Sequence, residues 1–113
     1  MKVVEKLIGD VFVEVVNLDR GTIAEANILK DILEERIAAG NSKFVVDISL
    51  CEFIDSTFLG VLVNSLKKAV KLEGDLKLVG FQPAVRSMFE LTRLFRVFET
   101  FTDVHAAVKS FSK

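Results

Sequence analysis

Asp47-Ile48-Ser49-Leu50-Cys51-Glu52-Phe53-Ile54-Asp55-Ser56-Thr57-Phe58-Leu59-Gly60-Val61-Leu62-Val63 is the stretch whose reading decides the fold. It continues a short run, 43–48, in which Val45, Val46 and Ile48 crowd together without a polar face. That is the pattern of a strand covered on both sides. From Ser56 onward the period changes. Leu59, Leu62, Val63, Leu66, Ala69 and Val70 recur at helical spacing until Gly74-Asp75 breaks them, and Leu76 to Val79 supplies another strand. Strand, helix, strand in this order predicts a right-handed parallel crossover.

Working outward toward the N-terminus, 3–8 and 11–16 are two β-rich runs separated by the turn dipeptide Gly9-Asp10, which reads as an antiparallel hairpin. Ala26, Leu29, Leu33 and Ile37 then share one helical face, widened by Ile28 and Ile32, and Gly40-Asn41 stops that helix. Toward the C-terminus, Pro83 suits the first turn of a third helix with a stripe through Val85, Met88, Phe89 and Thr92. A short strand is expected near Val97 to Thr100. Asp103 opens a last helix with Val104, Val108 and Phe111 inward. The fold class is therefore α/β: a sandwich around a mixed sheet of four or five strands, an N-terminal hairpin then parallel strands, with about four helices.

The chain has 113 residues, enough for one core and too few for two, so 1–113 is read as a single domain. Fifteen Lys and Arg against sixteen Asp and Glu give a net charge of −1, with neither sign gathered in one half. A nucleic-acid footprint needs a clustered basic face, so direct nucleic-acid binding is not expected. The longest apolar run, 58–63, is far shorter than the roughly 20 residues of a membrane span. Glu5, Asp10 and Glu14 interrupt the N-terminal valines, unlike a secretory signal. With the single cysteine, Cys51, this points to a soluble cytoplasmic protein away from membranes.

No Gly-rich phosphate loop or metal-ligand cluster is present, and there is one histidine, so neither catalysis, a cofactor nor a metal is expected. Cys51 and His105 read as a small buried thiol and a surface helix residue rather than a nucleophile and its base. Glu52 and Asp55 are three apart in a loop, which does not define a glycosidase pair. The ten Phe residues are read as core filling rather than a ligand box.

Asp55-Ser56-Thr57 lies at the mouth of the second helix. Hydroxyl or carboxylate side chains there can cap backbone N–H groups, a role worth about 1 kcal/mol that alone would explain the triplet. A regulatory reading stands beside it. A phosphate on Ser56 would meet the positive end of the helix dipole, so the fold would tolerate it. Its charge beside Asp55 would still transform any partner surface at that mouth.

The same residues resemble the signature of STAS domains, in particular the bacterial anti-sigma factor antagonists: Asp-x-Ser, a few residues, then Phe-[Ile/Met]-Asp-Ser-[Ser/Thr]-Gly-Leu-Gly. Asp47, Ser49, Phe53, Ile54, Asp55, Ser56, Thr57, Leu59 and Gly60 fit. Val16-Asn17-Leu18-Asp19 resembles the family's Gly-x-Leu-Asp ahead of the first helix, and 89–98 resembles its closing segment. The resemblance implies a STAS-like fold and a partner switch that regulates transcription. Unphosphorylated, such a protein binds an anti-sigma factor that is also a serine kinase, and a sigma factor is freed. Phosphorylated, it is released, and a phosphatase resets it. By position Ser56 is the phosphoacceptor, Thr57 the poorer alternative, and Asp19, Asp55, Thr57, Phe58 and Gly60 are implied partner contacts.

The sequence departs from the pattern at Val16 and at Phe58, where the family has Gly. A Phe ring beside the acceptor is expected either to obstruct the usual kinase or to offer an apolar contact. It also favours the alternative of a constitutive STAS scaffold in a signalling or transporter assembly, with Ser56 kept only as a cap.

Overall fold

The computed structural model describes residues 2–17, 20–21 and 23–112. Its strands are β1 (Val3–Ile8), β2 (Val11–Val16), β3 (Arg20–Gly21), β4 (Lys43–Asp47), β5 (Phe53–Ile54), β6 (Asp75–Val79) and β7 (Thr100–Phe101). Its helices are α1 (Ile23–Ala38), α2 (Ser56–Lys71), α3 (Pro83–Leu91) and α4 (Val104–Lys109), with 3-10 turns at Leu94–Arg96 and Ser110–Ser112. The main sheet runs β1-β2-β4-β6-β7, antiparallel in the first pair and parallel thereafter, while β3 and β5 pair separately. This is the mixed sheet expected, at its five-stranded limit, with four helices.

The hairpin forms because Gly9 takes φ +63, the left-handed conformation a two-residue turn of this hand demands. Side chains then alternate across the sheet. Val16, Phe44, Val46, Leu76 and Leu78 join Leu29 and Leu33 of α1, Phe58 and Leu62 of α2 and Val85 and Phe89 of α3 in one buried layer. Val11, Val13, Val45 and Val79 face the other way, against Ala107 of α4, with Val104, Val108 and Phe111 packed beside it. Consecutive Phe44, Val45 and Val46 are all buried because β4 is covered on both faces, which is why its sequence shows no alternation.

Lys77, between Leu76 and Leu78, points into the α4 layer and is nearly buried. Its ammonium donates to the Ser110 hydroxyl at 2.6 Å, pairs with Glu99 at 2.9 Å and lies 4.2 Å from the Phe111 ring centre. A basic side chain thus pins the C-terminal turn to the sheet, its stem lying along apolar surface while its head finds partners.

Three local expectations are corrected. The strand expected at Val97 to Thr100 is Thr100–Phe101, because Arg93 at φ +61 ends α3 and a 3-10 turn consumes Leu94–Arg96. Thr92 is exposed rather than inward: as the residue closing α3 it turns its hydroxyl back to donate to the Met88 carbonyl at 2.7 Å. Val70 is also exposed, and Phe58 and Val61 take inward places on α2 that the apolar stripe had not included.

Candidate functional site

The site is built where β4 ends. The Asp47 carboxylate accepts from the backbone N–H of Ser49 at 2.9 Å, closing a tight turn, and the N–H of Cys51 donates to the Ile48 carbonyl at 3.0 Å. The loop is fastened to the next strand: Ile48 N–H donates to the Val79 carbonyl at 3.0 Å, and the Gln82 amide donates to the Ser49 carbonyl at 2.9 Å. Gly80, at φ +75, lies so close beneath that a Cβ there would stand 2.4 Å from the Cβ of Ser49. Beyond the loop, β5 pairs with β3, bringing Phe53 opposite Arg20 and Ile54 opposite Gly21. The segment leading into α2 is therefore held from two sides.

Asp55 is the cap of α2. Its backbone is extended (φ −96, ψ 177), its Oδ1 accepts from the N–H of Phe58 at 2.8 Å, and its carbonyl accepts from Leu59 N–H at 3.0 Å. Ser56 is the first helical residue, and its side chain is exposed, as is that of Thr57. The capping role that the sequence left open for Ser56 thus belongs to its neighbour, and among the described residues the Ser56 hydroxyl has no hydrogen-bond partner. Asp55 takes one of the four N–H groups that a helix start leaves unpaired; those of Ser56 and Thr57 remain at the positive end of a 16-residue helix.

Phe58 requires correction as an expected partner contact. Its side chain is 0% exposed and lies in the main core with Ile54, Leu62 and Phe89, so this ring is not presented to a partner. The helix turns this position inward, one residue after the exposed Ser56 and Thr57, so a bulky side chain fills the core instead of crowding Ser56. Gly60 lies one turn beyond Ser56. A Cβ on it would meet nothing within 4 Å, so no neighbour within the chain explains a glycine in mid-helix. Leu50, half exposed, and the exposed Glu52 flank the same end of the molecule.

Asp19 lies outside the described residues. Cys51 is buried in the layer beneath α1 and α2, whereas His105 is exposed on α4 across the sheet, so the two make no nucleophile and base. Sequence reasoning missed the bracing by Gln82 and Gly80, whose only sequence sign is a glycine and an amide just ahead of Pro83. Among the described residues no helix is long and apolar enough to cross a membrane.

Comparison with known proteins agrees with this geometry. The STAS domain family model matches residues 22–107. A protein of Thermotoga neapolitana named as a candidate anti-sigma factor antagonist, the TM1081 homolog, is 29% identical over 105 residues, covering 92% of each chain. The crystal structure of an anti-sigma factor antagonist from Mycobacterium paratuberculosis superposes with a TM-score of 0.83 at 25% identity over 98% of this chain and 93% of that one. The Bacillus cell fate determinant SpoIIAA in its phosphorylated form shares the fold, with a TM-score of 0.77 at 14% identity over 96% of this chain and 98% of that one. A sandwich with this strand order, carrying Asp55-Ser56-Thr57 at the mouth of α2 and matched by the family model across most of its length, belongs to the STAS domain family.

Proposed function

We propose that this chain acts, as one domain over 1–113, as an anti-sigma factor antagonist in the cytoplasm: a partner switch, not an enzyme, that works without a cofactor. The observation that carries the reading is the exposed Ser56 hydroxyl on the first residue of a helix already capped by Asp55. A kinase reaches such a hydroxyl without removing a cap, so modification leaves the fold intact. The phosphate adds a charge of about −1.5 to −2 next to the Asp55 carboxylate and keeps the helix dipole as partial compensation. The folded domain persists while the surface offered to a partner reverses its character.

In this reading the unphosphorylated mouth binds an anti-sigma factor that is also the serine kinase, and a sigma factor is released to transcribe. Phosphorylation of Ser56 ends the complex and a phosphatase restores it. Thr57 is the secondary acceptor. Partner contacts centre on Asp55, Thr57 and Gly60, with Asp19 contributing by the family resemblance. Gly60 supports the reading because a helical glycine costs about 0.5 to 1 kcal/mol relative to alanine. Its open surroundings suit the close approach of a partner backbone. With Phe58 in the core, the feature that favoured a constitutive scaffold is gone.

The test has two parts. Intact and peptide-level mass spectrometry of the protein from its native cell under two growth conditions is expected to find one phosphate on Ser56. Ser56→Ala is expected to fold and stay bound to the anti-sigma factor kinase. Ser56→Asp should fold and bind at least about tenfold more weakly, a loss of ~1.4 kcal/mol. Binding of both variants like wild type would remove Ser56 as the switch.

A further inference from the structure

A buried acid on β2 is unexplained by partner switching. Glu14 of β2 is 0% exposed, and neither carboxylate oxygen finds an N–H or hydroxyl donor among the described residues. Directly opposite, across the antiparallel register, stands Glu5 of β1. Glu5 is turned to Arg36 in the last turn of α1, whose Nε donates to it at 3.1 Å while Nη2 holds the other oxygen. The guanidinium in turn lies 4.8 Å from the Phe12 ring centre. The neighbour of Glu14 on β4, Val46, is apolar, as are the inward residues Leu29 and Leu33 of α1 and Phe58, Leu62 and Leu66 of α2. The charged groups acting on Glu14 are therefore Glu5 from β1 and Arg36 from α1, with Glu35 acting on Arg36 from the same turn.

Two carboxylates facing each other beside one guanidinium leave a surplus negative charge, and Glu14 bears its share out of reach of water. One proton resolves the arrangement: Glu14, protonated, donates to the Glu5 carboxylate, and Arg36 keeps Glu5 ionised. We propose that Glu5 and Glu14 share a single proton and, with Arg36, form a proton-operated latch that fastens the last turn of α1 to the β1–β2 hairpin. Loss of the proton leaves Glu14 charged where water cannot reach it, and the hairpin and helix must part to hydrate it.

Burial, then the hydrogen bond and charge of Glu5, push the Glu14 carboxyl up to about 9 from an ordinary 4.5, opposed by the charge of Arg36. Its contribution to stability is fully present below the ordinary value and is lost as pH rises toward the folded one. Across that window the folding constant falls by up to about tenfold per pH unit, because the unfolded chain releases a proton that the folded chain keeps.

The test uses the intact protein between about pH 6 and about pH 10, spanning the folded value of Glu14. Carboxyl-carbon NMR is expected to show Glu14 protonated at neutral pH and titrating on the alkaline side. Amide exchange in β1 and the end of α1 should accelerate beyond that of α3 as it does. Glu14→Gln keeps a donor toward Glu5 but has no proton to lose, so its melting temperature should not show the alkaline decline of wild type. Glu14 ionised at neutral pH, or an equal decline in Glu14→Gln, would overturn the latch. The NMR titration decides even if the variant folds poorly.

Discussion

The Asp55 carboxylate accepts the N–H of Phe58 at 2.8 Å, so the residue before Ser56, not Ser56 itself, caps α2. Asp55→Ala should therefore cost about 1 kcal/mol in urea unfolding and Asp55→Asn little, since Asn caps nearly as well. Ser56→Ala, at an exposed position, should stay within ~0.5 kcal/mol of wild type. Equal losses for Asp55→Ala and Ser56→Ala would mean that the hydroxyl shares the cap.

Phe58 is among the largest fully buried side chains. Phe58→Ala should lose roughly 3 to 5 kcal/mol, and Phe58→Leu distinctly less. Restoring the family residue, Phe58→Gly, should unfold or severely destabilise the domain rather than improve recognition by a kinase. A stably folded Phe58→Gly would show that the core closes over the vacancy.

Two glycines separate folding from binding. Gly80→Ala forces a side chain into φ +75 and against Ser49, so it should destabilise by ~1 kcal/mol or more and loosen the loop ahead of α2. Gly60→Ala meets open space in a helix and should stabilise by about 0.5 to 1 kcal/mol while weakening the anti-sigma factor complex. A gain in stability with unchanged binding would exclude Gly60 from the interface.

Arg36 holds the Glu5 carboxyl below its ordinary value through its hydrogen bonds and charge. That contribution is present above the ordinary value of 4.5 and is lost as pH falls through the lower folded value. The stability gap between wild type and Arg36→Met, read by urea unfolding, should therefore be full above the ordinary value of 4.5 and narrow as pH falls below it. A gap independent of pH would mean that Arg36 acts through packing on Phe12 instead.

Much of this fold was legible in the chain because its signals are local. The hairpin bounds followed from Gly9-Asp10, β4 from its unbroken apolar run, and the stops of α1 and α2 from Gly40-Asn41 and Gly74-Asp75, which lie just beyond the last helical residues Ala38 and Lys71. The sequence also singled out Asp55-Ser56-Thr57 as the helix mouth, since residue type and helical period suffice to mark a helix start. Only tertiary structure decided which way Phe58 points, because a ring at the start of a helix is read inward or outward only once the layer beneath it is known. It alone decided that Asp55 rather than Ser56 is the cap, a matter of one dihedral and one 2.8 Å contact. And it alone set Glu14 against Glu5: alternation marks a polar residue on a strand as solvent-facing, and the guanidinium beside the pair, Arg36, comes from the far end of the helix that follows.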